Sequence, residues 1–179
     1  QAVKFILSIK KGNVVINVST TRAVDDVVKK YGGVIIKTPV GEINVAKKMK
    51  ETNAVIGGEG SGGVILPDVH LGRDSLVGIA ITLQHLVDFS GSLSQLRKSL
   101  PEYFMSKDKI QLSSLEEAVT LLEKISDKYL NENITIIDGL RIDFENSWVI
   151  IRKSNTEPII RIYSEARSQK EATELSDKL

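Results

Sequence analysis

At 179 residues, with 41% hydrophobic and 26% charged side chains, the chain has the make-up of an ordinary globular protein, enough for one large domain or two small ones. Its net charge is +1, with Lys and Arg mixed among Asp and Glu, so no basic stripe supports nucleic-acid binding. No apolar run approaches the ~18 residues of a membrane span, and the absence of cysteine excludes disulfides and thiolate metal sites and suits a cytoplasmic protein.

In chain order, Gln1 to Leu7 reads as the interior of a helix and has neither an initiator Met nor a signal-peptide cleavage site, so the chain is expected to be part of a longer one. Val14–Val18, Gly33–Lys37 and Asn53–Gly57 are short β-branched runs at regular intervals, with helical segments at 22–31 and 43–51 between them. Continuous apolar strands joined by helices predict an α/β unit with a mostly parallel sheet covered on both faces. Ligands of such sheets collect beyond the carboxyl ends of the strands, where the loop Gly57-Gly58-Glu59-Gly60-Ser61-Gly62-Gly63 stands.

Asp74 is placed to cap a helix running to Phe89, with Leu76, Ile79, Ala80, Leu83, Leu86 and Val87 on one apolar face. Ser90-Gly91-Ser92, a short helical piece and Pro101 then mark a change of texture. We therefore divide the chain into an α/β domain at 1–90, a linker at 91–106 and a second domain at 107–179.

Ser113 and Ser114 precede Glu116 and Glu117 at capping-box spacing, opening a helix whose core face is expected to carry Leu115, Ala118, Val119, Leu122 and Ile125. Asn133–Ile137 and Leu140–Phe144 flank Asp138-Gly139, a strong hairpin signal. Trp148–Arg152 and Ile159–Tyr163 are further strands, and Ser168 with Glu171 opens a last helix. The second domain is thus predicted as α+β: a small antiparallel sheet with two helices on one face.

Two loops carry chemistry. Arg152-Lys153-Ser154-Asn155-Thr156-Glu157-Pro158 places a guanidinium and two hydroxyls on one turn between strands. The Arg fork can take two phosphate oxygens, and Ser154, Thr156 and nearby backbone N–H groups can cover the others. The same residues also suit a plain polar turn. Arg161 shares a strand face with Ile159 and Tyr163, where it either reaches the same anion or pairs with Glu157 or Glu165. In the glycine-rich loop, Glu59 and Ser61 are the side chains with functional groups, spaced for hydrogen bonds to vicinal sugar hydroxyls; the competing reading is a flexible loop. It is neither a P-loop nor a dinucleotide fingerprint. His70 and His85 have no metal-ligand spacing, and Trp148 reads as core.

Together the two loops resemble the α-D-phosphohexomutase superfamily of phosphoglucomutases, phosphomannomutases and phosphoglucosamine mutases. Gly58-Glu59-Gly60-Ser61-Gly62 matches the sugar-recognition loop of that family's third domain, and Arg152, Ser154, Asn155, Thr156 and Pro158 match the phosphate loop of its fourth. The resemblance implies that Glu59 and Ser61 bind sugar hydroxyls. It implies that Arg152, Ser154, Asn155, Thr156 and Arg161 hold the phosphate that is not transferred. It further implies interconversion of hexose 1-phosphate and hexose 6-phosphate through a phosphoserine enzyme and a bisphosphate intermediate. Mg²⁺ and a hexose 1,6-bisphosphate activator then belong to the full-length enzyme. Neither the family's serine loop nor its metal loop is present, so no catalytic residue and no metal ligand is assigned here; missing N-terminal domains one and two would supply them. Gly63 stands where many members have His, and Gly60 leaves glucose, mannose and glucosamine phosphates all open. The alternatives are a stand-alone phosphosugar-binding module without catalysis, and a domain pair whose loops are merely turns.

Overall fold

The computed structural model describes residues 1–154 and 157–178. It has two compact units, Gln1–Glu102 and Tyr103–Leu179, so the division falls within the 91–106 segment.

In the first unit, strands β1 (Val14–Asn17), β2 (Ile35–Thr38), β3 (Ile56–Gly58) and β4 (Val64–Ile65) form one sheet in the order β2-β1-β3-β4. The first three are mutually parallel and β4 runs antiparallel to β3. Alternation along β1 sends Val14 and Ile16 to one face and Val15 to the other. Val14 and Ile16 pack with Phe5, Ile6 and Leu7 of α1 (Ala2–Ile9), Val27 and Val28 of α2 (Ala23–Lys30), and Ile81 of α4 (Ser75–Phe89). Val15 packs with Val45 and Met49 of α3 (Glu42–Thr52). Both faces are covered, as the continuous apolar strands require. The β-branched runs become strands because each bridges two helical layers. A Cβ on Gly57 would collide with the Met49 sulfur and crowd the Val15 carbonyl, so glycine there is what lets α3 lie close to β3.

Helix α4 departs from expectation. Its Asp74 cap is present, accepting from the backbone N–H of Leu76 at 2.8 Å and Val77 at 3.0 Å. Yet the buried side chains are Ile81 and His85, while Leu76, Ile79, Leu83 and Val87 are exposed by 75, 55, 57 and 71%. An amphipathic pattern states which face is apolar but not which neighbour covers it. Helix α5 (Leu93–Lys98) opens with a Ser92/Gln95 capping box and buries Leu96, so this stretch of the expected linker is packed into the first unit.

The second unit is a five-stranded antiparallel sheet in the order β5-β9-β8-β7-β6. Its strands are β5 (Phe104–Gln111), β6 (Asn133–Thr135), β7 (Leu140–Asp143), β8 (Trp148–Lys153) and β9 (Ile159–Ala166). Leu140, Ile142, Val149, Ile151, Ile160 and Ile162 share one face with Ala118 and Ile125 of α6 (Leu115–Lys128) and Leu175 of α7 (Gln169–Asp177). Both helices therefore lie on one face, as expected. Within α6, Leu121 and not Val119 joins the core; Val119 is 42% exposed. The side chain of Leu115 lies outside the described residues.

The β6–β7 hairpin forms, but its loop is longer than the two-residue turn that Asp138-Gly139 advertises. Thr135 pairs with Arg141, and Ile136 and Ile137 project outward, 77 and 43% exposed. Gly139 alone takes positive φ, at +90°. The opposite face of the sheet carries Trp148, Ile150 and Arg152 of β8. There the buried Arg141 guanidinium stacks 4.1 Å from the Trp148 ring centroid and grips both oxygens of Asp143 at 2.7 and 2.8 Å. The Trp148 indole N–H donates to Glu165 at 2.7 Å, so this buried carboxylate is satisfied.

Candidate functional site

The turn between β8 and β9 is built by antiparallel register. Arg152 stands directly opposite Arg161, and the Ser154 N–H donates to the Ile159 carbonyl at 2.9 Å where the two strands end. Directly opposed residues share a face, so register brings both arginines to one side of the sheet. Ser154 is buried, and its Oγ accepts from the Glu157 N–H at 3.3 Å. Asn155 and Thr156, the other two residues expected in the phosphate cradle, lie outside the described residues.

Arg152 is held from a third strand connection. Its Nη2 donates to Asp138 Oδ2 at 2.8 Å, with both side chains about three-quarters buried (22 and 25% exposed). A Cβ on Gly139 would collide with the Ile151 carbonyl and press on Arg152, so this glycine lets the β6–β7 turn lie under the arginine. The Arg152 Nε is buried and has no hydrogen-bond partner among the described residues. A buried unpaired donor costs about 1–3 kcal/mol, and an anion at this turn would offset it. Arg161 forms no ion pair with Glu157 or Glu165 among the described residues; it is exposed beside Arg152.

The glycine-rich loop follows β3 at the carboxyl edge of the first sheet, beside the end of β1. Glu59 turns inward, with its side chain 7% exposed. Its Oε1 accepts from Asn17 Nδ2 and from the Gly41 N–H, both at 2.9 Å. Its Oε2 lies 3.5 Å from Arg73 Nη1. Asn17 is itself fixed, because its Oδ1 accepts from the Ser19 N–H and from the Ser19 and Thr20 hydroxyls. Ser61 is exposed on the loop, and no hydrogen bond joins it to Glu59 among the described residues. The structure thus separates the two: a locked inward carboxylate and an outward hydroxyl.

Two of the loop's glycines are required by the protein's own packing. A Cβ on Gly58 would strike the Gly63 carbonyl across the β3–β4 pair, and one on Gly63 would strike the Arg73 side chain. Arg73 occupies that space and grips Glu42 through both its backbone N–H at 2.8 Å and its Nε at 2.9 Å. These contacts, the backbone one first, hold the Glu42 carboxyl below its ordinary pKa. Sequence reasoning missed Asn17, Arg73 and Asp138. Asn17 was marked only by its place at the carboxyl end of β1.

A cavity of about 540 Å³ opens beside the loop in the first unit, lined by Glu59, Thr20, Ser75 and Thr82 but mainly by apolar residues such as Ile16, Val24, Ile79 and Leu83. His70 bonds Asp74 at 3.0 Å; this and the N-cap bonds, led by that from Val77, keep the Asp74 pKa low. His85 is buried against Phe5 with ring centroids 5.3 Å apart and accepts from Gln1 Nε2 at 2.9 Å in its neutral form; burial is the main cause pushing its pKa down. Among the described residues, no group of three His, Cys, Asp or Glu is placed to hold a metal ion, and no helix is long and apolar enough to cross a membrane.

Comparison with known proteins assigns both units. Residues 2–104 match the model of the phosphoglucomutase/phosphomannomutase alpha/beta/alpha domain III, and residues 107–179 match that of the phosphoglucomutase/phosphomannomutase C-terminal domain. A phosphoglucomutase/phosphomannomutase of Thermococcus kodakarensis is 37% identical over 164 residues, covering 91% of this chain and 36% of the relative. A probable phosphoglucosamine mutase of Methanopyrus kandleri is 34% identical over 168 residues, covering 93% of this chain and 37% of the relative. Among solved structures, a phosphoglucomutase/phosphomannomutase family protein of Burkholderia thailandensis superposes with a TM-score of 0.78 at 27% identity, over 98% of this chain and 38% of that one. The chain therefore spans little more than a third of the length of these relatives.

Proposed function

The chain belongs to the phosphoglucomutase/phosphomannomutase family, as its domains III and IV, and from that premise we propose that it is the sugar- and phosphate-binding part of a longer phosphohexomutase. The longer protein interconverts hexose 1-phosphate and hexose 6-phosphate through a phosphoserine and a bisphosphorylated sugar. In this reading the phosphoserine loop and the Mg²⁺ site lie on the N-terminal domains, outside this chain, in a cytoplasmic enzyme primed by a hexose 1,6-bisphosphate.

The observation that carries the reading is the Arg152 turn: a guanidinium steadied by Asp138, a buried Nε without a partner among the described residues, and a second arginine directly opposite. Arg152, Ser154, Asn155, Thr156 and Arg161 hold the phosphate that is not reacting. Gripping the remote phosphate uses binding energy to orient the reacting end. In the same reading Glu59 and Ser61 bind sugar hydroxyls, with Glu59 Oε2 as the carboxylate oxygen not bonded to Asn17 and Gly41. Recognition of a phosphate and of hydroxyls common to both orientations of the sugar serves either end of it, as a reaction that turns its intermediate over requires.

The test is conversion of glucose 1-phosphate to glucose 6-phosphate. The full-length protein should catalyse it, this chain alone should not, and Arg152→Ala in the full-length protein should lower kcat/KM at least about 100-fold, the equivalent of about 3 kcal/mol of charge-assisted bonding. Full activity in the Arg152→Ala enzyme would remove the turn from the mechanism.

A further inference from the structure

The sheet face that carries Arg152 continues past the turn. Arg161 of β9 is flanked on both sides by directly opposed cations: Arg152 of β8 and Lys109 of β5. The three form one cross-strand row, with neighbouring Cβ atoms about 5 Å apart. Arg152 is paired with Asp138, whereas Lys109 and Arg161 form no ion pair among the described residues. Among the described residues no acidic group pairs with Lys109 or Arg161: Glu157, at the turn, forms no ion pair, and two other carboxylates are committed elsewhere. Glu165, two rows along, accepts from Trp148, and Asp108 lies on the opposite face, accepting from Ser176 at 2.7 Å. Lys107, on the same face one row away, sits 5.4 Å from the centroid of the Tyr163 ring and is engaged there.

Like charges placed directly opposite one another destabilise a sheet. A row of three that leaves two cations uncompensated is a standing cost unless an anion binds across it. We propose that Lys109 is a further ligand of the phosphate site, so that a phosphate monoester at the β8–β9 turn is held from β5 as well as from β8 and β9. This rests on the phosphate-binding reading of that turn and extends it to a third strand. The competing role for a lysine on an edge strand such as β5 is to discourage edge-to-edge association.

The experiment is a titration of this chain with inorganic phosphate at low ionic strength, comparing wild type with Lys109→Gln, Lys109→Arg, Lys107→Gln and Arg152→Ala. Melting of the second unit is measured in phosphate-free buffer for each. Lys109→Gln should weaken phosphate binding about three- to fivefold, the range of an exposed charge pair, and raise the phosphate-free melting temperature by about 1–4 °C as the like-charge contact is relieved. Lys109→Arg should bind as wild type does. Lys107→Gln, which removes the same charge one row away, should leave affinity within about 1.5-fold. Equal affinities for wild type and Lys109→Gln, or equal losses in the Lys107 and Lys109 variants, would overturn the proposal while the turn's reading stands. Equal affinities for wild type and Arg152→Ala would overturn the phosphate reading of the turn, and this proposal with it. Self-association of Lys109→Gln with unchanged affinity would assign the lysine to edge protection instead.

Discussion

Glu59 is the residue whose substitution separates structure from recognition. Replacing it with alanine removes the acceptor of two donors, Asn17 Nδ2 and the Gly41 N–H, each at 2.9 Å. Asn17 is only 3% exposed, so water does not readily replace the lost partner. A hydrogen bond to a charged group contributes about 1.5–3 kcal/mol; two such bonds, discounted for relaxation, make the loss about 3–5 kcal/mol. The Arg73 contact, at 3.5 Å to a half-exposed guanidinium, adds less than about 1 kcal/mol. Against a domain stability of about 5–15 kcal/mol, alanine leaves the first unit marginal. Glutamine keeps an amide oxygen for both donors and should cost only about 1–2 kcal/mol. The assay is urea unfolding followed by the amide resonances of β1 and β3, which report the first unit alone; Trp148 fluorescence reports the second. The expected order of midpoints is wild type, then Glu59→Gln slightly lower, then Glu59→Ala far lower. An unchanged midpoint for Glu59→Ala, or equal damage from both variants, would show that the Asn17 and Gly41 bonds do not hold the loop. If the order holds, lost activity in Glu59→Ala says little about the sugar, and Glu59→Gln is the informative variant.

Gly139→Ala should destabilise the second unit by about 2–4 kcal/mol in Trp148-monitored unfolding, from strain at positive φ and collision with the Ile151 carbonyl; a neutral result would show that the turn is free to move away from Arg152. Because burial depresses the pKa of His85, its neutral form is the one that folding favours. First-unit stability is therefore full above the unfolded value of about 6.5 and falls as the pH drops from there toward the depressed folded value. Substitution by leucine should flatten that slope in unfolding measured at pH 7.5 and below, and an unchanged slope would assign it to other groups. Ser114→Ala removes the N-cap that accepts from the Glu117 N–H at 3.3 Å and should cost about 1 kcal/mol, read as a lower urea midpoint of the second unit; no change would mean that the cap adds nothing beyond solvent.

How much of this was legible follows from what each element touches. Val14 to Ile16 of β1, Ile35 and Ile36 of β2 and Ile56 of β3 pack under helices on the two faces, and such apolar runs announce themselves. β5, Phe-Met-Ser-Lys-Asp-Lys-Ile-Gln, is a mostly exposed edge strand with no hydrophobic alternation, so it was expected as linker up to residue 106. The α4 stripe was legible as apolar, but periodicity carries no information about which neighbour covers it, and Leu76, Ile79, Leu83 and Val87 are exposed. At the sites, Arg152, Ser154 and Glu59 could be named from local motif spacing. Their partners could not: Asn17 is 42 residues from Glu59 and Gly41 is 18 away, and the Asp138–Arg152 pair joins the β6–β7 turn to strand β8. In the glycine-rich loop the close approaches of Gly58 to the Gly63 carbonyl and of Gly63 to Arg73 depend on chain pairing and on a residue ten positions on, which local spacing does not show. The row Lys109–Arg161–Arg152 exists only through strand register.

The proposed role of the β8–β9 turn is to bind the phosphate of a sugar phosphate. Its most direct test is an amide chemical-shift titration of this chain with inorganic phosphate and with glucose 1-phosphate, repeated on Arg152→Ala. Shifts are expected at Arg152, Ser154 and Arg161 with both ligands, and additional shifts around Glu59 and Ser61 with the sugar phosphate only. The shifts at the turn should vanish in the variant. Shifts elsewhere, or turn shifts that persist without the Arg152 guanidinium, would contradict it.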